Sequence, residues 1–275
     1  MISASFRHLT GIGAMRERQL WQQGVHAWTQ LPDGPILAPA LDTRLREGAA
    51  ISRAWLEGRA WHEFALRLPE TEHWRLLPQL LDHQLAPPME RAFEVGALGF
   101  VDIETAPVGT GTEQAVTVIG VLDARGAHCY LAGTDLDQFP ERTRGWQGIV
   151  TFNGASFDLP ILCRAFPRWE PPAAHIDLRH LCARVGLKGG LKDIERVLGF
   201  IRPPEVSGLT GEDASWLWHA QRRGDRRALA RLIAYNLADV AHLKPLLERA
   251  YNRALKRTGM PAQPIAESAR GELLF

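Results

Sequence analysis

Gly99-Phe100-Val101-Asp102-Ile103-Glu104-Thr105 is the stretch on which the fold turns. It is an apolar run rich in β-forming residues and reads as a strand. Residues two apart on a strand project to the same face, so Asp102 and Glu104 point into one small volume. Two like charges that close repel, and a hard cation held by oxygen ligands is the ordinary relief. Taken alone, an Asp-x-Glu pair favours the plainer reading of an edge strand with a wet acidic face. The spelling recurs in Asp193-Ile194-Glu195, where Leu191, Ile194, Val197 and Leu198 follow helical spacing. There the two acids diverge by about 200° around a helix and cannot share an ion.

Two further segments supply acids. Ile149-Val150-Thr151-Phe152 is a short apolar strand running into the turn signal Asn153-Gly154, after which Ser156 is placed to cap a helix whose first turn holds Asp158 and Pro160. This brings an amide, Asn153, and a carboxylate, Asp158, to the end of a strand, where sites in α/β sheets lie. Helix capping alone also explains an Asp at that position. The third segment, Ala234 to Leu243, sits in a helical pattern beginning near Asp225, and stacks Tyr235 and Asp239 four residues apart on one face. A buried tyrosine bonded to an acid is its plain alternative. His242 lies close by on that face.

Order and context of the three segments resemble the DEDD exonuclease superfamily on a ribonuclease H-like fold, in particular the YprB-type ribonuclease H-like family. Phe100 to Thr105 is similar to its first motif, Phe152-Asn153 through Pro160 to its second, and Tyr235 with Asp239 to its third. Tyrosine four before the last acid resembles the DEDDy subclass; the histidine subclass has its histidine five before, where this chain carries Ala234. Gly190 through Gly199 resembles the family's helix between the second and third motifs. The likeness spans roughly residues 96 to 250.

The resemblance implies a metal-dependent 3′-5′ exonuclease that hydrolyses single-stranded or frayed nucleic acid, with DNA placed slightly ahead of RNA. It implies that Asp102, Glu104 and Asp239 hold one Mg²⁺ or Mn²⁺, that Asp102 also touches a second ion, and that Asp158 reaches metal mostly through water. Two cations about 4 Å apart stabilise the entering and departing oxygens of an in-line displacement at phosphorus. Tyr235, with an ordinary pKa near 10, suits a guide for the attacking water better than a base. An exoribonuclease acting in RNA processing and a catalytically inactive nucleic-acid-binding module are the alternatives.

Composition frames this reading. With 275 residues, 45% hydrophobic, and a net charge of +1, the chain can bury a full core but lacks a general electrostatic grip on nucleic acid, so local patches must supply it. The cysteines, Cys129, Cys163 and Cys182, have no paired metal spacing; reduced intracellular thiols and no zinc are expected. No long apolar run or signal-peptide pattern occurs, so no membrane contact and a cytoplasmic location are expected. Nothing identifies a protein partner.

The expected architecture is α/β: a mixed sheet flanked by helices over 96–255, preceded by a helix-hairpin-helix-like unit over 1–35 and a helical or linker region over 36–95, and followed by a tail over 256–275. In the first unit, His8 through Trp21 reads as a glycine hairpin leading into a helix, with Gly11 and Gly13 exposing amides to a phosphate. Thr10 stands where that motif often has proline, and a structural helical hairpin fits the residues as well. Arg44 through Leu68 shows helical spacing, with Trp55, Trp61 and Phe64 packing inside; Trp74 and Arg75 either join the core or stack on a base. Pro87-Pro88 marks entry to the catalytic unit. Val116 to Leu122 and His128 to Ala132 read as a hairpin around Asp123-Ala124-Arg125-Gly126. Lys188 and Lys192 beside Gly189-Gly190, and the run Arg222 to Arg227 with Arg231, either hold phosphates or form solvated faces.

Overall fold

A computed structural model describes residues 2–81, 97–107 and 113–268. The expected boundary at Pro87-Pro88 lies outside the described residues, as do residues 269–275 of the tail. Five strands, β1 (Leu98–Pro107), β2 (Gln114–Asp123), β3 (Gly126–Leu131), β4 (Gly148–Thr151) and β5 (Ala174–Asp177), form one sheet in the order β3-β2-β1-β4-β5. The β1-β2-β3 meander is antiparallel, whereas β4 and β5 run parallel to β1. All four residues of β4 are buried, as a parallel strand covered on both faces requires.

Ten helices surround the sheet: α1 (Ala14–Gln22), α2 (Pro39–Glu57), α3 (Trp61–Ala65), α4 (Leu77–Leu80), α5 (Phe139–Arg142), α6 (Asp158–Ala165), α7 (Leu178–Arg184), α8 (Leu191–Leu198), α9 (Gly211–Arg222) and α10 (Arg226–Thr258) among the described residues. The 33-residue α10 begins at Asp225, whose carboxylate accepts the Arg227 and Ala228 N–H groups, and stops at Gly259 with φ 71°. It crosses the face of β1 and β2 that carries Asp102 and Glu104. Val101 and Ile103 point the other way, into a core with Phe139, Trp146, Ile161 and Leu162 under α5 and α6.

The amino-terminal segments share a core with the sheet and α10. Ile2, Phe6, Leu20, Trp28, Phe64 and Trp74 cluster with Leu98, Val150, Leu247 and Tyr251. Of the two readings for Trp74 and Arg75, packing is the outcome. Trp74 meets the Tyr251 ring edge-on at 5.8 Å, and buried Arg75 bonds Glu17 at 3.0 Å and Glu72 at 2.6 Å. The helical spacing from Arg44 to Leu68 resolves into α2 and α3, interrupted at Gly58 and at Arg59, which takes a positive φ of 55°. Before Gly11 the described chain has a 3-10 turn at Ile2–Ala4 and no α-helix, so only the glycine turn and the following helix of the expected double-helix hairpin are formed. Ser156 does not cap α6: Phe157 occupies that position without a side-chain bond, and the Ser156 N–H goes to the Asn153 carbonyl.

One close approach sets the height of α10 above the sheet. Gly120 of β2 pairs with Asp102, and a Cβ there would fall 2.1 Å from Asn236 Oδ1 and 2.7 Å from Val240 Cγ2. Gly120→Ala should therefore push α10 away and cost at least the 1–3 kcal/mol typical of overpacking. Denaturant unfolding measures this, and wild-type stability in the variant would mean that the helix has room to move.

Candidate metal centre

Asp102 and Glu104 leave β1 on the α10 side, and Asp239 comes down from α10 to meet them. One carboxylate oxygen from each lies within 4.8 Å of the others, a spacing that a single hard cation can span. Glu104 and Asp239 are buried and Asp102 half-buried. Asp158, at the start of α6, lines the same cleft without belonging to that trio. Where β1 continues beyond its pairing with β4, the Ile103 N–H donates to Asp158 Oδ1 at 3.2 Å, so the strand edge fixes this carboxylate. The cleft, about 530 Å³, is walled by Asn153, Phe157 and Tyr235 and by Glu212 and Ser215 of α9.

Residues 99–251 match the RNase_H_2 family model, RNase_H superfamily. The chain belongs to the RNase H superfamily. No curated protein matches it. Among solved structures, the family B DNA polymerase of the hyperthermophilic archaeon Pyrobaculum calidifontis is similar at 17% identity and a TM-score of 0.41, over 58% of this chain and 24% of the polymerase. The Aedes aegypti Nibbler EXO domain is similar at 15% identity and a TM-score of 0.37, over 70% of this chain and 87% of that one. No helix among the described residues is long and apolar enough to cross a membrane.

In this RNase H superfamily member the acid cluster is costly. Burial and the neighbouring charges of Asp239, Glu104 and Asp158 hold Asp102 well above the usual carboxylate range. Burial, with Asp239 adding, pushes Glu104 up to about 8, and burial pushes Asp158 up to about 7 against its backbone hydrogen bonds. Asp239 is raised by burial and pulled back by Arg202 and Lys192. Such a donor set, all oxygen and short of positive charge, fits a hard divalent cation.

Two fixed cations supply part of the missing charge. Arg202 grips Glu195 with two hydrogen bonds, 2.7 and 2.6 Å, and also bonds Asp239 Oδ1; His242 holds Glu195 from behind at 3.0 Å. Glu195, which the helical spacing separated from Asp193, thus anchors Arg202, while exposed Asp193 caps α8 through the Gly190 N–H. His242 reaches the site only through this chain of bonds. Lys192 bonds the Tyr235 hydroxyl and lies 4.4 Å from the centre of its ring. Burial, and then the charges of Asp239, Glu104 and Asp102, keep the Tyr235 phenol protonated.

Several contributors escaped sequence reasoning. Asn236, beside Tyr235, donates Nδ2 to Asp102 Oδ2 at 2.9 Å, and its Oδ1 accepts from the Cys129 thiol at 3.3 Å. Asp177 of β5 accepts the Asn153, Ala155 and Arg179 N–H groups, which holds Asn153 at φ 68° in the turn. Arg179 then donates to Asn153 Oδ1 at 2.8 Å, leaving the amide nitrogen free of that bond. Only Asn236 had a signal within reach, its adjacency to the tyrosine. Arg202 and Asp177 lie in no periodic pattern. Lys188 is not among the cleft residues, and Gly11 and Gly13 line a separate cleft of about 490 Å³ with Arg7 and Arg67.

Raised carboxyls have a pH signature. Over the interval from the ordinary 4.5 to about 8, folded Glu104 binds more protons than the unfolded chain, so stability must fall as pH rises. Buried His8 and His175, lowered to about 3 and 4 from 6.5, act in the opposite direction below pH 6.5. Metal-free protein should therefore lose thermal stability between about pH 6.5 and 8, and Mn²⁺ should reverse the slope by replacing protons on the acids. Melting curves with chelator and with Mn²⁺ check this; a metal-free slope of the opposite sign would contradict the crowded cluster.

Proposed function

We propose that the chain is a metal-dependent 3′-5′ exonuclease of DEDDy type, acting on single-stranded or frayed nucleic acid with DNA ahead of RNA, and that its catalytic unit spans 96–255. The observation that carries this reading is the convergence of Asp102, Glu104 and Asp239 oxygens within 4.8 Å beside Tyr235 and Asp158. Asp102, Glu104 and Asp239 would hold Mg²⁺ or Mn²⁺, with Asp102 shared between two ions and Asp158 reaching one through water. Bound there, the ions would supply the positive charge that stabilises entering and departing oxygens at phosphorus.

The protein's own groups divide the remaining tasks. Tyr235 stays protonated, so it orients water by hydrogen bonding and does not abstract a proton. Lys192 occupies the tyrosine oxygen's lone-pair side, which turns the phenolic hydrogen toward another acceptor. Arg202 takes Asp239 Oδ1 and leaves the second oxygen of that acid for an ion. Asn153, with its carbonyl oxygen engaged by Arg179, offers its amide nitrogen to a substrate oxygen. Phe157, 40% exposed at the rim, offers a ring face to a terminal base.

The decisive experiment offers 3′-labelled and 5′-labelled single-stranded DNA and RNA of matched sequence to the protein with Mg²⁺, Mn²⁺ or chelator. The expected product is a metal-dependent ladder shortened from the 3′ end. Asp102→Ala and Asp239→Ala should abolish it, while Tyr235→Phe should retain residual activity. Wild-type rate in Asp102→Ala with metal present would remove the metal assignment.

We also assign residues 1–35 to holding the nucleic-acid backbone. Gly11 takes φ 85°, which a side chain rarely adopts, and Gly13 precedes α1 without a side-chain cap; both line the cleft beside Arg7 and Arg67, at the amino end of that helix. A Cβ at Gly13 meets nothing closer than Arg7 Nη1 at 3.7 Å. Gly13→Asp should keep or raise the melting temperature by capping α1, yet weaken strand binding by placing an anion where a phosphate is expected. Anisotropy titrations with unchanged affinity would assign this turn to folding alone.

A further inference from the structure

Helix α9 leads away from the candidate centre. Gly211, Glu212 and Ser215 border the acidic cleft, and the helix ends at Arg222 and Arg223. On its exposed side Glu212, Trp216, His219 and Arg223 recur at four, three and four residues, one continuous stripe on an α-helix. By helical rise that stripe carries the surface roughly 16 Å from the cleft.

Two independent features of the stripe select its occupant. The first is Trp216. Of nine tryptophans in the chain it alone is exposed, at 61%, although its neighbours Leu217 and Trp218 pack inward against α10. A large flat ring left in water beside a catalytic cleft is a stacking surface for a base. The second is the turn joining α9 to α10. Arg222, Arg223, Arg226 and Arg227 are all exposed there and form no ion pair among the described residues. The one acid among them, Asp225, is committed to capping α10. In a chain of net charge +1, four free guanidiniums within six residues are a concentrated positive field.

We propose that the outer face of α9, from Glu212 through Trp216 to the α9–α10 arginines, is the track along which a single nucleic-acid strand approaches the acidic cleft. The inference rests on the nuclease reading for its direction toward the cleft. A base stacks on Trp216 while the phosphates behind it lie against the arginines. Stacking and phosphate pairing are indifferent to sequence, so the track serves a strand of any composition.

The test measures binding of a fluorescein-labelled single strand to the full chain in chelator, so that cleavage does not intervene. Trp216→Ala, at an exposed position, should weaken binding roughly tenfold, the scale of one lost base stack. Arg222→Glu combined with Arg223→Glu should weaken it further, and should reduce the slope of log K against log salt by about 1.4 for two lost contacts. Val197→Ser, on exposed α8 surface, is the control and should bind like wild type. Equal affinity of wild type and the α9 variants, or no binding by wild type, would overturn the track. Loss of binding in the α9 variants together with no cleavage by wild type in Mg²⁺ or Mn²⁺ would keep the track and remove the nuclease reading.

Discussion

Three carboxylates pressed together in a mostly buried cleft are the constraint to which the surrounding structure answers. Removing one ionised acid from water is unfavourable, and crowding three multiplies the cost, which is why Asp102, Glu104 and Asp239 all hold their protons beyond the ordinary range. The fold tolerates this by bringing partners with little freedom to leave. Arg202 is pinned by the Glu195 fork, Asn236 by the helix that carries it, and Lys192 by the Tyr235 ring. A buried ion pair of this kind adds little net stability, since desolvation offsets most of the attraction. Its value is geometric, because Arg202 and Asn236 each fix one oxygen of an acid, Asp239 Oδ1 and Asp102 Oδ2, and Lys192 fixes the Tyr235 hydroxyl.

Sheet topology explains why these groups converge at all. From β1 the chain builds outward in one direction through antiparallel β2 and β3, then returns to lay parallel β4 and β5 on the opposite side. The point where order reverses, between β1 and β4, is where a crevice opens at strand ends. Asp158 enters from α6 at that crevice, and α10 passes above it with Asp239. A single missing side chain, at Gly120, lets the helix come close enough for Asn236 to reach Asp102.

Strands and helices were legible in the residues where period and punctuation agreed. The alternation around Asp102, the hairpin at Asp123 to Gly126 and the start of α10 at Asp225 all lie where their local chemistry points. Capping at Ser156 was not, because the turn after β4 is governed by Asp177, a residue on another strand that captures its amides. The helix between Arg44 and Leu68 kept its apolar spacing across a break at Gly58 and Arg59, since periodicity records which side faces the core and is blind to a local change of direction. Arg202 belongs to the same category: it follows α8 in an irregular segment, and only tertiary packing brings it against Asp239.

The two copies of Asp-Ile-Glu show how far context governs chemistry. On β1 the period of two places both acids on the face under α10, where they crowd. On α8 the period of 3.6 sends Asp193 to solvent as a cap and turns Glu195 inward. Buried Glu195 would itself be an isolated charge, yet Arg202 and His242 hold its carboxyl below the ordinary range despite burial. Between about pH 4.5 and 7 it is therefore ionised while Glu104 and Asp158 still carry protons. The second copy thus provides a permanent anion that keeps Arg202 in place, and Arg202 in turn restrains an acid facing the first. One tripeptide, read in two secondary structures, yields both the crowded acids and the anchor of the cation that steadies them.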